Sequence, residues 1–256
     1  MELNRAQLKW KAQSIIRESK PKATSVGLVY LLLSVLVSYL SMRLVGMNLS
    51  NEELMTYSQY VMDGNFDYAL AFLSTMETPS TASYIIDMLL QVCMWVVGTG
   101  FVVFLLNTIR KTAPCFGNLL DGFGYFWRII LLNVLEGIFI GLWSLLFFFP
   151  GIVAAYRYRM AIYLLIDHPE MSVMECIRQS KRLMKGRKWE LFMLDLSFIG
   201  WELLGSLPVM GYFVQFFTLP YITMTKALYY EQLGGRGIPA GPGGDANTGY
   251  IPPAQG

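Results

Sequence analysis

The segment from Arg128 to Asp167, RIILLNVLEGIFIGLWSLLFFFPGIVAAYRYRMAIYLLID, decides how this chain is read. Its interior is almost continuously apolar; the charged or helix-breaking exceptions are Glu136, Pro150-Gly151, Arg157 and Arg159. A helix of about 20 apolar residues already crosses the ~30 Å hydrocarbon core, so the segment is either a hairpin folded at Pro150-Gly151 or one kinked rod. Much of the pattern returns further on. Leu135-Glu136, Phe139-Ile140-Gly141 and Trp143 align with Leu194-Asp195, Phe198-Ile199-Gly200 and Trp201, allowing one gap. In each copy a proline, Pro150 or Pro208, stands seven residues after the tryptophan. The pattern predicts two membrane hairpins built on one plan, each carrying an acid in its first helix.

Composition sets the class. The 256 residues are 54% hydrophobic and 15% charged, whereas a soluble domain carries about 25% charged residues. The chain therefore reads as an all-α polytopic membrane protein; the short alternating segments of a transmembrane barrel are not present. A net charge of +2 gives no bulk electrostatic reason to expect a nucleic-acid partner. Cys93, Cys115 and Cys176 are scattered without a CxxC spacing, and the single histidine, His168, has no clustered ligands, so neither a zinc site nor a disulfide framework is expected. Lipase-type, zinc-protease and phosphate-loop motifs are missing from the sequence. No enzymatic activity, cofactor or metal is expected.

Six spans are predicted, at about 24–45, 88–109, 129–149, 152–166, 189–207 and 210–230. Residues 1–22 carry Arg5, Lys9, Lys11, Arg17, Lys20 and Lys22 and read as a basic cytoplasmic leader, either solvated or lying on an anionic leaflet with Trp10 at headgroup level. The run after it is too long for a secretory core and reads as an uncleaved first span. Residues 46–87, with Glu52, Glu53, Asp63, Asp67, Glu77 and Asp87, form a polar loop holding a short helix over 51–62 and a turn at Asp63-Gly64-Asn65. Gly98 and Gly100 mark close helix packing. Ser172-x-x-Glu175 caps an amphipathic helix ending near Gly186, whose basic residues lie along anionic headgroups. Residues 234–256, with eight Gly and four Pro, read as a disordered tail. Positive-inside counting favours the hairpin: only then do Arg178, Lys181, Arg182, Lys185, Arg187 and Lys188 join the basic leader in the cytoplasm. Both termini are then cytoplasmic.

Away from the span ends, where Arg43 and Glu190 stand, six ionisable residues fall inside these spans: Glu136, Arg157, Arg159, Asp195, Glu202 and Lys226. Each costs about 2.5–3.5 kcal/mol near the bilayer centre, which makes the set a candidate functional network. At ~1.5 Å per residue, depth matching pairs Glu202 with Arg157 and Asp195 with Lys226. Such pairs serve either as registry devices between helices or as a substrate or proton path; both readings stay open. Gly137-x-x-x-Gly141 reads as a packing groove. Pro150-Gly151, Pro208 and Pro220 are expected helix breaks or kinks.

One further pattern runs through the chain: Trp143 with Pro150-Gly151, Tyr156-x-Tyr158 followed by Met160-Ala161 and Tyr163, Ser180 with Met184 and Gly186, then Pro220-Tyr221 and Ala227-x-Tyr229-Tyr230. It resembles a bacterial family of uncharacterised integral membrane proteins, domain of unknown function 975, over about residues 1–233. The resemblance implies a multi-span protein of the bacterial inner membrane with no activity to carry over. The family is also distantly similar to the membrane portion of some glycerophosphodiester phosphodiesterases; the soluble catalytic domain is not seen in this sequence. The function expected is a scaffold or accessory protein acting through membrane lipids or a protein partner. The alternative is a small permease or exporter that uses the intramembrane carboxylates.

Overall fold

The structure, a computed structural model, describes residues 5–45, 51–74, 79–146, 148–207 and 210–234. Every regular element among them is helical: α1 (Arg5–Glu18), α2 (Ala23–Val45), α3 (Asn51–Met62), α4 (Phe66–Ser74), α5 (Thr81–Arg110), α6 (Asn118–Asp121), α7 (Phe126–Leu146), α8 (Phe148–Tyr158), α9 (Ala161–Asp167), α10 (Val173–Leu183), α11 (Lys188–Leu196), α12 (Ile199–Gly205) and α13 (Met210–Gln232). Three stretches are long and apolar enough to cross a membrane: Ala23–Val45, Thr81–Arg110 and Asn118–Leu145. In the first and third, only 6% and 11% of the most apolar window is buried inside the protein, against 39% in the second. Apolar helix faces this bare are what lipid solvates.

The chain divides into two units, Met1–Leu31 with Trp95–Gly256 and Leu32–Met94. In the smaller unit α3 and α4 pack through Tyr60, whose ring stacks on Tyr68 at 6.0 Å and tilts against Phe72 at 6.2 Å. The expected turn joins them, with Gly64 at φ +71°, a left-handed conformation that glycine adopts without strain. Helix α3 has the predicted bounds; residues 46–50 before it lie outside the described residues, as do the end of the polar loop at 75–78 and the tail from 235. In the same unit the Ser41 hydroxyl donates to Asp87, so Asp87 belongs to a helix that begins at Thr81, well before the expected 88.

The larger unit contains the two hairpins. Residues 126–158 fold back on themselves. Phe139 lies 6.0 Å from Tyr158 ring to ring, and a Cβ at Gly151 would overlap the Ser144 side chain. Pairs that converge as their sequence separation shrinks are the signature of antiparallel helices, which excludes a continuous rod. Pro150 sits in the first turn of α8, where its missing N–H has no helical partner to lose. The second hairpin is antiparallel in the same way: Asp195 faces Lys226, Phe198 faces Tyr221 at 5.4 Å, and Gly205 faces Gln215.

Neither hairpin has the uninterrupted arms expected from its sequence. Residues 152–166 are split between α8 and α9, with a break at Arg159-Met160. Residues 189–207 are split between α11 and α12 at Ser197-Phe198. Pro208 lies outside the described residues. Pro220 stands within α13, which continues through it, and its ring meets the space above Gly27 at 3.5 Å.

Close backbone contact does occur at Gly100, where a Cβ would overlap the Leu119 carbonyl, and at Gly122, where it would overlap the Val96 carbonyl. Gly137 and Gly141 differ from expectation, since a Cβ at either would meet nothing within 4 Å. The leader is not simply solvated or lipid-facing either. Helix α1 packs on α13 and buries Leu8 and Ala12 in the core, while Trp10 remains 71% exposed.

Candidate functional site: two helix breaks and an acidic cleft

A helix break leaves a carbonyl and an N–H without their i, i+4 partners, and both breaks here are closed by side chains from surface helices. At the first, the buried Ser180 hydroxyl of α10 donates to the Arg157 carbonyl at 2.8 Å and accepts from the Met160 N–H at 3.2 Å. One hydroxyl satisfies both orphan groups. Ser180 is held there because α10 is strongly amphipathic. It buries Val173, Cys176, Ile177, Gln179 and Ser180, and its N-cap Ser172 accepts from the Glu175 N–H at 3.2 Å. At the second break, the Ser197 carbonyl accepts from Lys9 Nζ of α1 at 3.3 Å, and the same ammonium lies 4.1 Å from the centroid of the Phe198 ring. Partial burial, with Arg5 nearby, holds the Lys9 ammonium below the usual lysine range.

The predicted charges gather around these breaks. Lys226 Nζ lies 3.1 Å from Asp195 Oδ1, with both side chains largely buried (13% and 16% exposed). The approach is that of an ion pair without hydrogen-bond alignment, so Oδ1 has no hydrogen-bond partner among the described residues. Oδ2 accepts from the Tyr156 hydroxyl at 3.2 Å. Arg159, exposed at the first break, acts electrostatically on both Glu136 and Lys226, and Glu202 acts on Lys226. Arg157 is joined to no carboxylate among the described residues, so its depth-matched pairing with Glu202 does not form. Glu202 instead lines a cleft of about 370 Å³ between α12 and α13.

A second ionic cluster was not singled out by sequence reasoning. Arg110, at the end of α5, makes a two-pronged contact with Asp167 of α9 at 2.7 and 2.6 Å and a third bond to Glu231 of α13 at 2.6 Å. Tyr230 donates to Asp167 at 2.9 Å and stacks on Tyr163 at 5.0 Å. Such forks are the strongest arginine–carboxylate geometry, and this one ties three helices together. In the sequence Arg110 stands out only as a basic residue at the end of an apolar run. Among the described residues no group of three or more His, Cys, Asp or Glu side chains is placed to hold a metal ion.

Both breaks, the Asp195–Lys226 pair, the cleft and both carboxylates that hold Arg110 (Asp167 and Glu231) lie within residues 148–237. That stretch matches the family model described as Protein of unknown function (DUF975). Neither the curated proteins nor the solved structures yield a match. The DUF975 match begins at α8, narrower than the 1–233 over which the resemblance was expected. It therefore includes the second hairpin whole and only the returning arm of the first.

Proposed function

We propose that this chain is a non-enzymatic integral membrane protein of the bacterial cytoplasmic membrane, a scaffold or accessory component that works through lipids or a protein partner. In this reading the chain makes six passes with both termini in the cytoplasm, and the two hairpins are repeats of one plan. The observation that carries it is a contrast between interior and surface. The Asp195–Lys226 pair and the Arg110 cluster are closed on themselves, while large apolar side chains such as Leu32, Leu36, Leu142 and Leu145 remain 53–86% exposed. Buried charges that neutralise one another need no ligand, whereas bare apolar faces call for lipid or another helix. The exposed Arg178, Arg182, Lys185 and Arg187 suit anionic headgroups.

Native mass spectrometry of protein purified in mild detergent tests this. Retained phospholipid or a co-purifying membrane protein is the expected result. A bare chain that carries a solute flux in liposomes would replace the scaffold with a second reading, a small permease or exporter. One observation favours that alternative: the cleft reaches a carboxylate, Glu202.

A further inference from the structure

The cleft between α12 and α13 is lined by Trp201, Glu202, Gly205, Ser206, Gln215, Thr218, Leu219, Ile222 and Thr223, and Glu202 carries the one formal charge among these lining residues. The Ser206 hydroxyl donates to the Leu203 carbonyl at 2.7 Å and the Thr218 hydroxyl to the Val214 carbonyl at 2.9 Å. Gln215 turns its amide nitrogen to the Gly205 carbonyl at 3.0 Å, which leaves its oxygen as an acceptor. The Ser206 and Thr218 donors are therefore engaged by main chain, as is one of the two N–H groups of the Gln215 amide, and all three residues offer a ligand lone pairs. Glu202 adds a carboxylate with no cation within ion-pair distance among the described residues. Lys226, the ammonium that acts on it, is already held 3.1 Å from Asp195.

The neighbours of Glu202 on α12 are Trp201, Leu203 and Leu204, all large, apolar and exposed. An unneutralised carboxylate on a helix this apolar is costly in or near hydrocarbon, and a cation would relieve it. A divalent metal is a poor match, because calcium takes six to eight oxygen ligands and, among the described residues, Glu202 is the only carboxylate in the wall. An organic ammonium fits the carboxylate, the acceptors and the aromatic wall. It donates to the acceptors, its charge lies against the carboxylate and the Trp201 ring, and its apolar body lies along Leu219 and Ile222. A volume of about 370 Å³ is at the lower end of small-molecule sites.

We propose that this cleft binds a monovalent ammonium group carried on an apolar body, with Glu202 as its counter-ion and Trp201 as its aromatic wall. The inference rests on the reading of the chain as a lipid-embedded protein and names the ligand chemistry of that reading. Two sources offer it: an amine-bearing phospholipid headgroup, or a free lipophilic amine.

The test is a native mass spectrometry titration of the full chain with three probes: short-chain phosphatidylethanolamine, phenethylammonium and short-chain phosphatidylglycerol. The wild type is compared with Glu202→Gln, Trp201→Leu and, as a carboxylate control, Glu136→Gln, each checked for an unchanged melting midpoint. At least tenfold weaker binding of an ammonium probe to Glu202→Gln, a smaller loss with Trp201→Leu, and no change with Glu136→Gln are expected. Retention of phosphatidylethanolamine alone identifies the headgroup, and retention of phenethylammonium alone identifies a free amine; either upholds the site. Equal binding by Glu202→Gln, or phosphatidylglycerol binding as tightly as the ammonium probes, overturns it. If Glu202→Gln fails to fold, an unaltered affinity in Trp201→Leu overturns it instead. Carbonate extraction of membranes reads the other premise separately, since a protein released by carbonate that still binds phenethylammonium loses its membrane assignment and keeps its site.

Discussion

Asp195 and Lys226 show what a single residue decides here. Both side chains are less than a fifth exposed and 3.1 Å apart, so removing either leaves the other charged, desolvated and alone. Lys226→Met should therefore destabilise the protein by about 3 kcal/mol, within the range for breaking a buried pair. The double variant Asp195→Asn, Lys226→Met should recover most of that loss. Thermal melts in detergent read both, and a double variant as unstable as the single one would mean that the pair is not the unit. Cys176 offers a second test at this scale. Burial raises its thiol to about 11, with Arg128 pulling the other way. A folded-state value raised above the usual 9.0 favours the neutral thiol. Its contribution is thus fully present below about pH 9 and is lost as pH rises through about 11. Cys176→Ala should weaken the alkaline loss of stability in that window. At pH 8 a maleimide should label the exposed Cys115 while sparing Cys176.

At the scale of helices, the breaks depend on contacts distant in sequence. Ser180→Ala should cost about 1–3 kcal/mol, because it orphans a buried carbonyl and a buried N–H together. Hydrogen exchange at the Met160 amide should accelerate in the same variant, and an unaltered rate would show that the hydroxyl does not close the break. Glycines divide similarly. Gly100→Ala must displace the 118–119 backbone, whereas Gly137→Ala meets open space and should gain a few tenths of a kcal/mol or more from helix propensity. The hairpins, α3 and the capped α10 were legible in the sequence, because caps, prolines and apolar runs act locally. The interruptions of the expected spans 152–166 and 189–207 were not. Ser180 is 20 residues from Met160, and Lys9 is 188 residues from the carbonyl it reaches. No local pattern encodes such partners. The pairing of Asp195 with Lys226 could be anticipated from depth alone; that of Glu202 with Arg157 could not survive a helix that turns Glu202 into a cleft.

For the molecule as a whole, the Arg110 cluster and the number of membrane passes are linked. Arg110, Asp167 and Glu231 come from α5, α9 and α13, so the ends of these three helices must lie on one side of the membrane. In the proposed six-pass arrangement that side is the cytoplasm. If only the three long apolar stretches crossed, α7 would end outside and leave residues 167–188, with their run of lysines and arginines, outside as well. That placement opposes the positive-inside bias and separates Asp167 from Arg110. Arg110→Ala should accordingly destabilise by about 3–5 kcal/mol, while Arg157→Ala, which has no carboxylate partner among the described residues, should change stability far less. The decisive measurement is accessibility in whole cells. In a background with Cys93, Cys115 and Cys176 replaced, Met55→Cys on exposed α3 should react with a membrane-impermeant maleimide from outside. Arg182→Cys on the exposed face of α10 should react only after the cells are opened. If Arg182→Cys is labelled in intact cells, the hairpin of α7 with α8 and α9 does not bring the chain back across the bilayer, and the six-pass arrangement is lost with it.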